Sequence, residues 1–178
     1  MATALHVTAF STDRFRVLDW RPLTDRPTDR EVLEKELAAI LTPKVLAHLP
    51  PSMQLAPSPD AASAWIDARK TESEVMVVTS RTAPGLVGLI ILAAGDDAEG
   101  RRDVHVGYLL AEHVWGNGAA TELLRGLVSM LRTGPPARLL GGVGRDNPAS
   151  ARVLQKAGFA ADPRLSTPDS DVYTLQIG

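Results

Sequence analysis

His113-Val114-Trp115-Gly116-Asn117-Gly118-Ala119-Ala120 joins an apolar, strand-like run at residues 104–110 to the most regular apolar repeat in the chain. Downstream, Ala120, Leu123, Leu124, Leu127, Val128 and Leu131 recur with helical spacing, which predicts an amphipathic helix over 116–132. Gly134-Pro135-Pro136 stops it. Glycines at the first turn let backbone N–H groups approach a ligand closely. Those unpaired donors and the helix dipole, worth about half a charge, favour a phosphate. The same segment also suits a plain strand-to-helix turn, and spacing alone does not choose. It does exclude a classical P-loop, because no lysine followed by a hydroxyl residue comes after the glycines, and the dinucleotide fingerprint lacks its third glycine. An anion cradle for another cofactor remains.

Working outward, residues 15–20 read as a first strand followed by a Thr/Asp/Pro turn. Asp29 is the expected cap of a helix running to 41, with Val32, Leu33, Leu37 and Ile40 as its apolar face. Pro43 interrupts that pattern, and the stretch to Asp60 reads as helix fragments and loop. A helix over 61–69 leads to strands at 74–79 and 86–93, an antiparallel pair joined by a short loop at Pro84-Gly85. A charged turn over 96–103 precedes the strand at 104–110. Beyond the central helix come a strand at 139–143, a helix at 148–156 ending at Gly158, and an alternating strand at 171–177. There is no internal repeat, and the order of elements predicts a mixed α/β sheet rather than a bundle.

At 178 residues the chain suits one domain, 1–178, which can bury about 70% of its unfolded surface. With 44% hydrophobic and 22% charged residues it is too apolar for disorder. Nineteen basic against twenty-one acidic residues leave a formal charge of −2, so no global field draws it onto nucleic acid or an anionic membrane. Zero cysteines remove disulfides, thiolate metal sites and cysteine nucleophiles together. No signal-peptide pattern and no run approaching about 18 apolar residues is present, and a cytoplasmic location is expected.

A second segment, Asn147-Pro148-Ala149-Ser150-Ala151-Arg152-Val153-Leu154-Gln155-Lys156-Ala157-Gly158-Phe159, bears on the choice left open at the glycine turn. Together with Val106-Gly107-Tyr108-Leu109 and Trp115-Gly116-Asn117-Gly118-Ala119, it closely resembles the GNAT superfamily of acyl-CoA-dependent N-acyltransferases. The likeness, over residues 86–159, is to its ribosomal-protein N-terminal acetyltransferase-like branch. The resemblance implies a central, mixed, mostly antiparallel sheet flanked by helices, acetyl-CoA as co-substrate, and no metal. The family's pyrophosphate turn maps onto His113, Gly116 and Gly118, with Val114, Trp115, Asn117 and Ala119 supplying backbone donors. Histidine at 113 departs from the usual Gln or Arg. By the same resemblance Leu109 and Leu110 would pair with the pantetheine arm, and Asn147 would lie beside it.

The implied reaction is direct attack of an amine on the thioester, which needs a neutral amine, a donor for the developing oxyanion and a proton for the thiolate. Where branch members carry a glutamate, this chain has His105, which becomes the candidate base or else a structural strand histidine. A free imidazole titrates near about 6.5 and is available neutral at pH 7. Ser150, three residues after Asn147, is the candidate proton donor or simply a first-turn helix cap. Leu154 stands where many members place a tyrosine, Tyr173 is a reserve, and Tyr108 is expected to pack beside the cofactor strand.

The acceptor is expected to be a primary amine, a small molecule, amino acid or peptide N-terminus. An α-amine with pKa about 8 is far more often neutral at pH 7 than a lysine amine near about 10.4. Trp65 and Met53 are read as core or acceptor-side lining, and Arg101-Arg102 as a grip for the 3′-phosphate or an acidic acceptor, or a solvated pair. His6 and His48 have no ligand-spaced partner for a metal. The resemblance also implies edge pairing into a homodimer. Two other readings stand beside the enzyme: a catalytically weak acyl-CoA-binding regulatory module, and a toxin-like enzyme acting on aminoacyl-tRNA, which the slightly acidic balance disfavours.

Overall fold

Aliphatic and β-branched runs set the strands, and alternation along them sorts side chains onto the two faces of a sheet. In the computed structural model, which describes residues 7–178, a short hairpin of β1 (Phe10–Ser11) and β2 (Phe15–Asp19) opens the sheet. Helices α1 (Arg21–Thr24) and α2 (Pro27–Ile40) follow, then α3 (Pro43–Leu46), a 3₁₀ turn (Pro51–Met53) and α4 (Ala61–Glu72). Next come β3 (Glu74–Ser80), β4 (Leu86–Asp96) and β5 (Arg102–Leu110), and a 3₁₀ turn (Glu112–Val114) leads into α5 (Ala119–Leu131). The chain finishes with β6 (Ala137–Gly144), α6 (Pro148–Lys156), β7 (Ala160–Ala161) and β8 (Ser170–Ile177).

The eight strands form one sheet in the order β1-β2-β3-β4-β5-β6-β8-β7. Every neighbouring pair is antiparallel except β5 with β6, whose crossover is α5. This is the mixed, mostly antiparallel sheet expected from the sequence. One face, with Ile90, Leu92, Val104, Leu139 and Tyr173, packs on Leu123, Leu124 and Leu127 of α5 and Leu154 of α6. The other, with Val75, Val77, Leu89, Ile91 and Leu109, packs on Leu33 and Leu37 of α2 and Trp65 and Ile66 of α4. Among the described residues no helix is long and apolar enough to cross a membrane.

Three local expectations change. The cap of α2 is Arg26, with Pro27 entering the first turn, so Asp29 lies inside the helix as a first-turn acid. Val32 is 52% exposed and stands outside the apolar face formed by Leu33, Leu37 and Ile40. The central helix begins at Ala119 rather than 116, because Gly116 and Gly118 take φ of +75° and +80°, a left-handed backbone that cannot continue a right-handed helix.

Candidate active site

The parallel pair β5–β6 is short. Its register runs through Asp103 with Arg138, Val104 with Leu139, and His105 with Leu140, although β5 continues to Leu110 and β6 to Gly144. Past His105 the two strands part and leave a wedge. On the far side β6 stays fully paired with β8, and β5 stays paired with β4. The Ala111 N–H donates to the Val87 carbonyl at 2.9 Å, and the register runs back from there through Gly88 with Leu110. Antiparallel alternation then turns the backbone groups of His105, Gly107 and Leu109 toward β4 and those of Val106, Tyr108 and Leu110 toward the wedge. Of the two residues expected to hold a pantetheine arm, Leu110 faces the wedge, whereas Leu109 is spent in the β4 ladder. The Leu110 carbonyl accepts from the Trp115 indole N–H at 2.8 Å.

The glycine turn follows the end of β5 and leads into α5. Gly118 caps α5, whose first N–H groups have no partner within the helix. Asn117 accepts the Ala119 N–H on its side-chain oxygen at 3.3 Å. A residue with no signal in the sequence holds this turn: Arg14, in the β1–β2 connection, donates through Nη1 to the Asn117 carbonyl at 3.1 Å and through Nε to Glu122 of α5 at 2.6 Å. The Arg14 backbone N–H reaches the other Glu122 oxygen at 2.9 Å. His113 is exposed in the 3₁₀ turn before the glycines.

Between the parted strands lies a cavity of about 260 Å³ lined by residues from both faces of the sheet. From the α6 side it is lined by Tyr108, Asn147, Ser150 and Leu154, and from the α2–α4 side by His105, Ile91, Leu140, His48, Leu49 and Met53. Small residues of β6 make the room. A Cβ at Gly141 would sit 2.8 Å from Leu154, while Gly142 faces open space. His105 is exposed at the last paired position, where the strands divide.

The cap of α6 is Asn147, whose side-chain oxygen accepts the Ser150 N–H at 3.2 Å, so Ser150 sits in the first turn rather than at the cap and its hydroxyl is engaged separately. Its Oγ accepts from the Tyr108 phenol at 3.1 Å and from the Asn147 amide at 3.2 Å. A serine oxygen has two lone pairs and one proton, so both acceptor positions are filled and the O–H remains to be given elsewhere. Tyr108, expected only to pack, is thus joined to the candidate donor. Burial pushes its phenol above the ordinary tyrosine value, against the hydrogen bond to Ser150, so it keeps its proton. Leu154, in the tyrosine position, is buried beneath them, and Tyr173 is not among the residues lining the cavity.

The acceptor-side wall is pinned from α4. The Trp65 indole donates to the Met53 carbonyl at 2.9 Å, and Arg69, stacked 5.4 Å over Trp65, donates to the Ser52 carbonyl at 2.9 Å. Trp65 is therefore core that positions the wall, and Met53 is wall. His48, which the sequence left without a role, lines the cavity with His105. They lie far apart in sequence, and only the topology brings them together. The Thr42 hydroxyl, which caps α3, donates to Glu112, and Lys44 pairs with the same carboxylate at 3.2 Å. These contacts tie the acceptor-side segment to the turn before the glycines and hold the Glu112 carboxyl below its usual range.

Two cations expected as a phosphate grip are elsewhere. Arg101 is engaged by Asp97 at 2.7 Å and Glu99 at 2.9 Å, and Arg102 lines a recess with Met130 and Pro135 at the other end of α5. Among the described residues no group of three or more His, Asp or Glu is placed to hold a metal ion, and His6 lies outside the described residues.

No curated protein matches the sequence. Solved structures do match in fold. A GNAT-family acetyltransferase from Bacillus anthracis is 13% identical with TM-score 0.69, over 96% of this chain and 98% of that one. RimL, a ribosomal-protein α-N-acetyltransferase solved with coenzyme A, is 13% identical with TM-score 0.70, over 96% and 98%. The microcin C7 self-immunity acetyltransferase MccE, solved with acetyl-CoA and AMP, is 14% identical with TM-score 0.66, over 93% of each chain. At these identities the likeness is one of fold. The sequence profile described as "Acetyltransferase (GNAT) domain" matches residues 19–160, most of the chain and all of the wedge, its glycine turn and the Asn147–Ser150 corner. The chain therefore belongs to the GNAT family of acetyltransferases.

Proposed function

We propose that residues 1–178 act as one acyl-CoA N-acyltransferase domain, moving an acetyl group from acetyl-CoA to a primary amine by direct attack in a ternary complex in the cytoplasm. The observation that carries this reading is the parting of β5 from β6 at His105, which leaves backbone groups of Val106, Tyr108 and Leu110 facing a gap, on the strand that leads into the glycine turn. Such a gap suits the amide-bearing arm of a CoA ester, and the α5 N-terminus suits its pyrophosphate. RimL and MccE were solved with CoA and acetyl-CoA, which supports the same co-substrate here.

Bound there, acetyl-CoA supplies an activated thioester. The amine nitrogen forms a bond to the acetyl carbon as the carbon–sulfur bond breaks. His105 receives the proton leaving the amine, directly or through one water. A wedge-facing N–H of β5 donates to the oxygen on which negative charge grows. Ser150 Oγ gives its proton to the departing sulfur and recovers one from the Tyr108 phenol, which takes a proton back from solvent before the next turnover. Asn147 fixes the serine rotamer through its amide.

Titration calorimetry with acetyl-CoA and CoA, on wild type and Gly118→Val, tests the root of this reading. Saturable binding that weakens about tenfold or more in the variant supports it, since a β-branched residue at φ +80° costs at least about 1–2 kcal/mol of turn strain. Absence of binding to wild type overturns it. Binding without turnover across an amine panel would instead identify an acyl-CoA-binding regulatory module.

A further inference from the structure

Resting on the acyltransferase reading above, we infer that the acceptor is a primary amine carried on an apolar body with no second charge. The α2–α4 side of the cavity is where an acceptor must enter, because the glycine turn and α6 occupy the other side. Its wall is carbon: Leu49, Met53, Ile91 and Leu140 line it, and its polar side chains are the imidazoles of His48 and His105. Among the described residues lining the cavity there is no carboxylate, lysine or arginine.

The nearest acid along β5, Asp103, lies two positions before His105, and its charge is already used. Arg138 grips it through Nε at 2.8 Å and Nη2 at 2.6 Å, and Asp97 also faces Arg138 at 3.4 Å. A polyamine or a lysine-rich peptide would bring a second cation into this mouth, where no lining side chain carries a counter-charge and Asp146, whose carboxylate lies beside Gly144, is exposed to solvent. A free amino acid would bring its carboxylate beside the reacting amine without a lysine or arginine to meet it. Desolvating either charge opposes binding, whereas an apolar side chain gains from contact with the wall.

The test is a panel of acceptors with wild-type enzyme and acetyl-CoA, read as CoA thiol release: leucinamide, leucine, lysinamide and spermidine. The expected order in kcat/KM has leucinamide ahead of each of the other three by about tenfold or more. Met53→Glu, which places a carboxylate on the wall, should shrink the leucinamide-to-lysinamide ratio by about tenfold, with its thermal midpoint confirming that it folds. Leucine, lysinamide or spermidine equalling leucinamide in wild type overturns the inference, as does an unchanged ratio in a folded Met53→Glu. The wild-type ranking decides the matter even if that variant does not fold. Acetylation of the charged acceptors with good efficiency would sink only this inference. Failure to bind acetyl-CoA, or to acetylate any amine, sinks the acyltransferase reading as well.

Discussion

At the scale of single residues, the arrangement separates the two proton jobs across the sheet. His105 stands on the acceptor side and Ser150 with Tyr108 on the α6 side of one cavity. His105→Ala should lower kcat by about a hundredfold at neutral pH and less at low pH, where a protonated imidazole could not accept the amine's proton, while leaving acetyl-CoA affinity unchanged in calorimetry. An unaltered pH–rate profile would remove the imidazole from the reaction. Tyr108→Phe deletes the proton behind Ser150 and should lower kcat more than KM. Burial raises the phenol above the ordinary tyrosine value, so no falling limb attributable to it is expected at lower pH. The linked stability has the same sign. A raised tyrosine stabilises the fold fully below its unfolded value and loses that contribution as pH climbs through the folded one. A falling limb well below pH 10 that survives Tyr108→Phe would assign the proton to another group. The sequence marked His105, Ser150 and Asn147 through motif position. It gave Tyr108 only a packing role beside the cofactor strand and left His48 without one, because a phenol's reach to a serine and an imidazole in a proline-rich loop carry no spacing signal.

At the scale of elements, the glycine turn is held from a distance. Arg14 reaches it from the β1–β2 connection, and its planar fork serves the Asn117 carbonyl and the Glu122 carboxylate together. Arg14→Ala should raise KM for acetyl-CoA severalfold with little change in kcat. Arg14→Lys should restore only part, since an ammonium cannot reproduce the fork. A loss in kcat at constant KM would mean that the contact serves catalysis instead. Periodicity made α5 and α6 plain in the sequence because each buries one continuous stripe. Its boundaries were less plain: the left-handed glycines delayed α5 to Ala119. The two-residue strands β1 and β7 are too short to show alternation at all.

At the scale of the whole molecule, the order of strands and helices was readable from the chain, and with it the mixed sheet. The wedge was not, because where two parallel strands stop pairing depends on how α5 and α6 seat beneath them. One consequence concerns how the molecule breathes. The five strands β1–β5 and the three strands β6–β8 share a backbone seam of only three registered pairs. That seam is the natural line of local opening, with each half a separate cooperative unit in amide exchange. Protection in β6 and β8 should be lost together under mild denaturant, while β3 and β4 persist. A CoA ester lying across the seam should slow exchange in both halves at once, stitching them into a single unit. Exchange that is uniform across all eight strands, with or without the ester, would show that helix packing rather than the seam governs how this sheet comes apart.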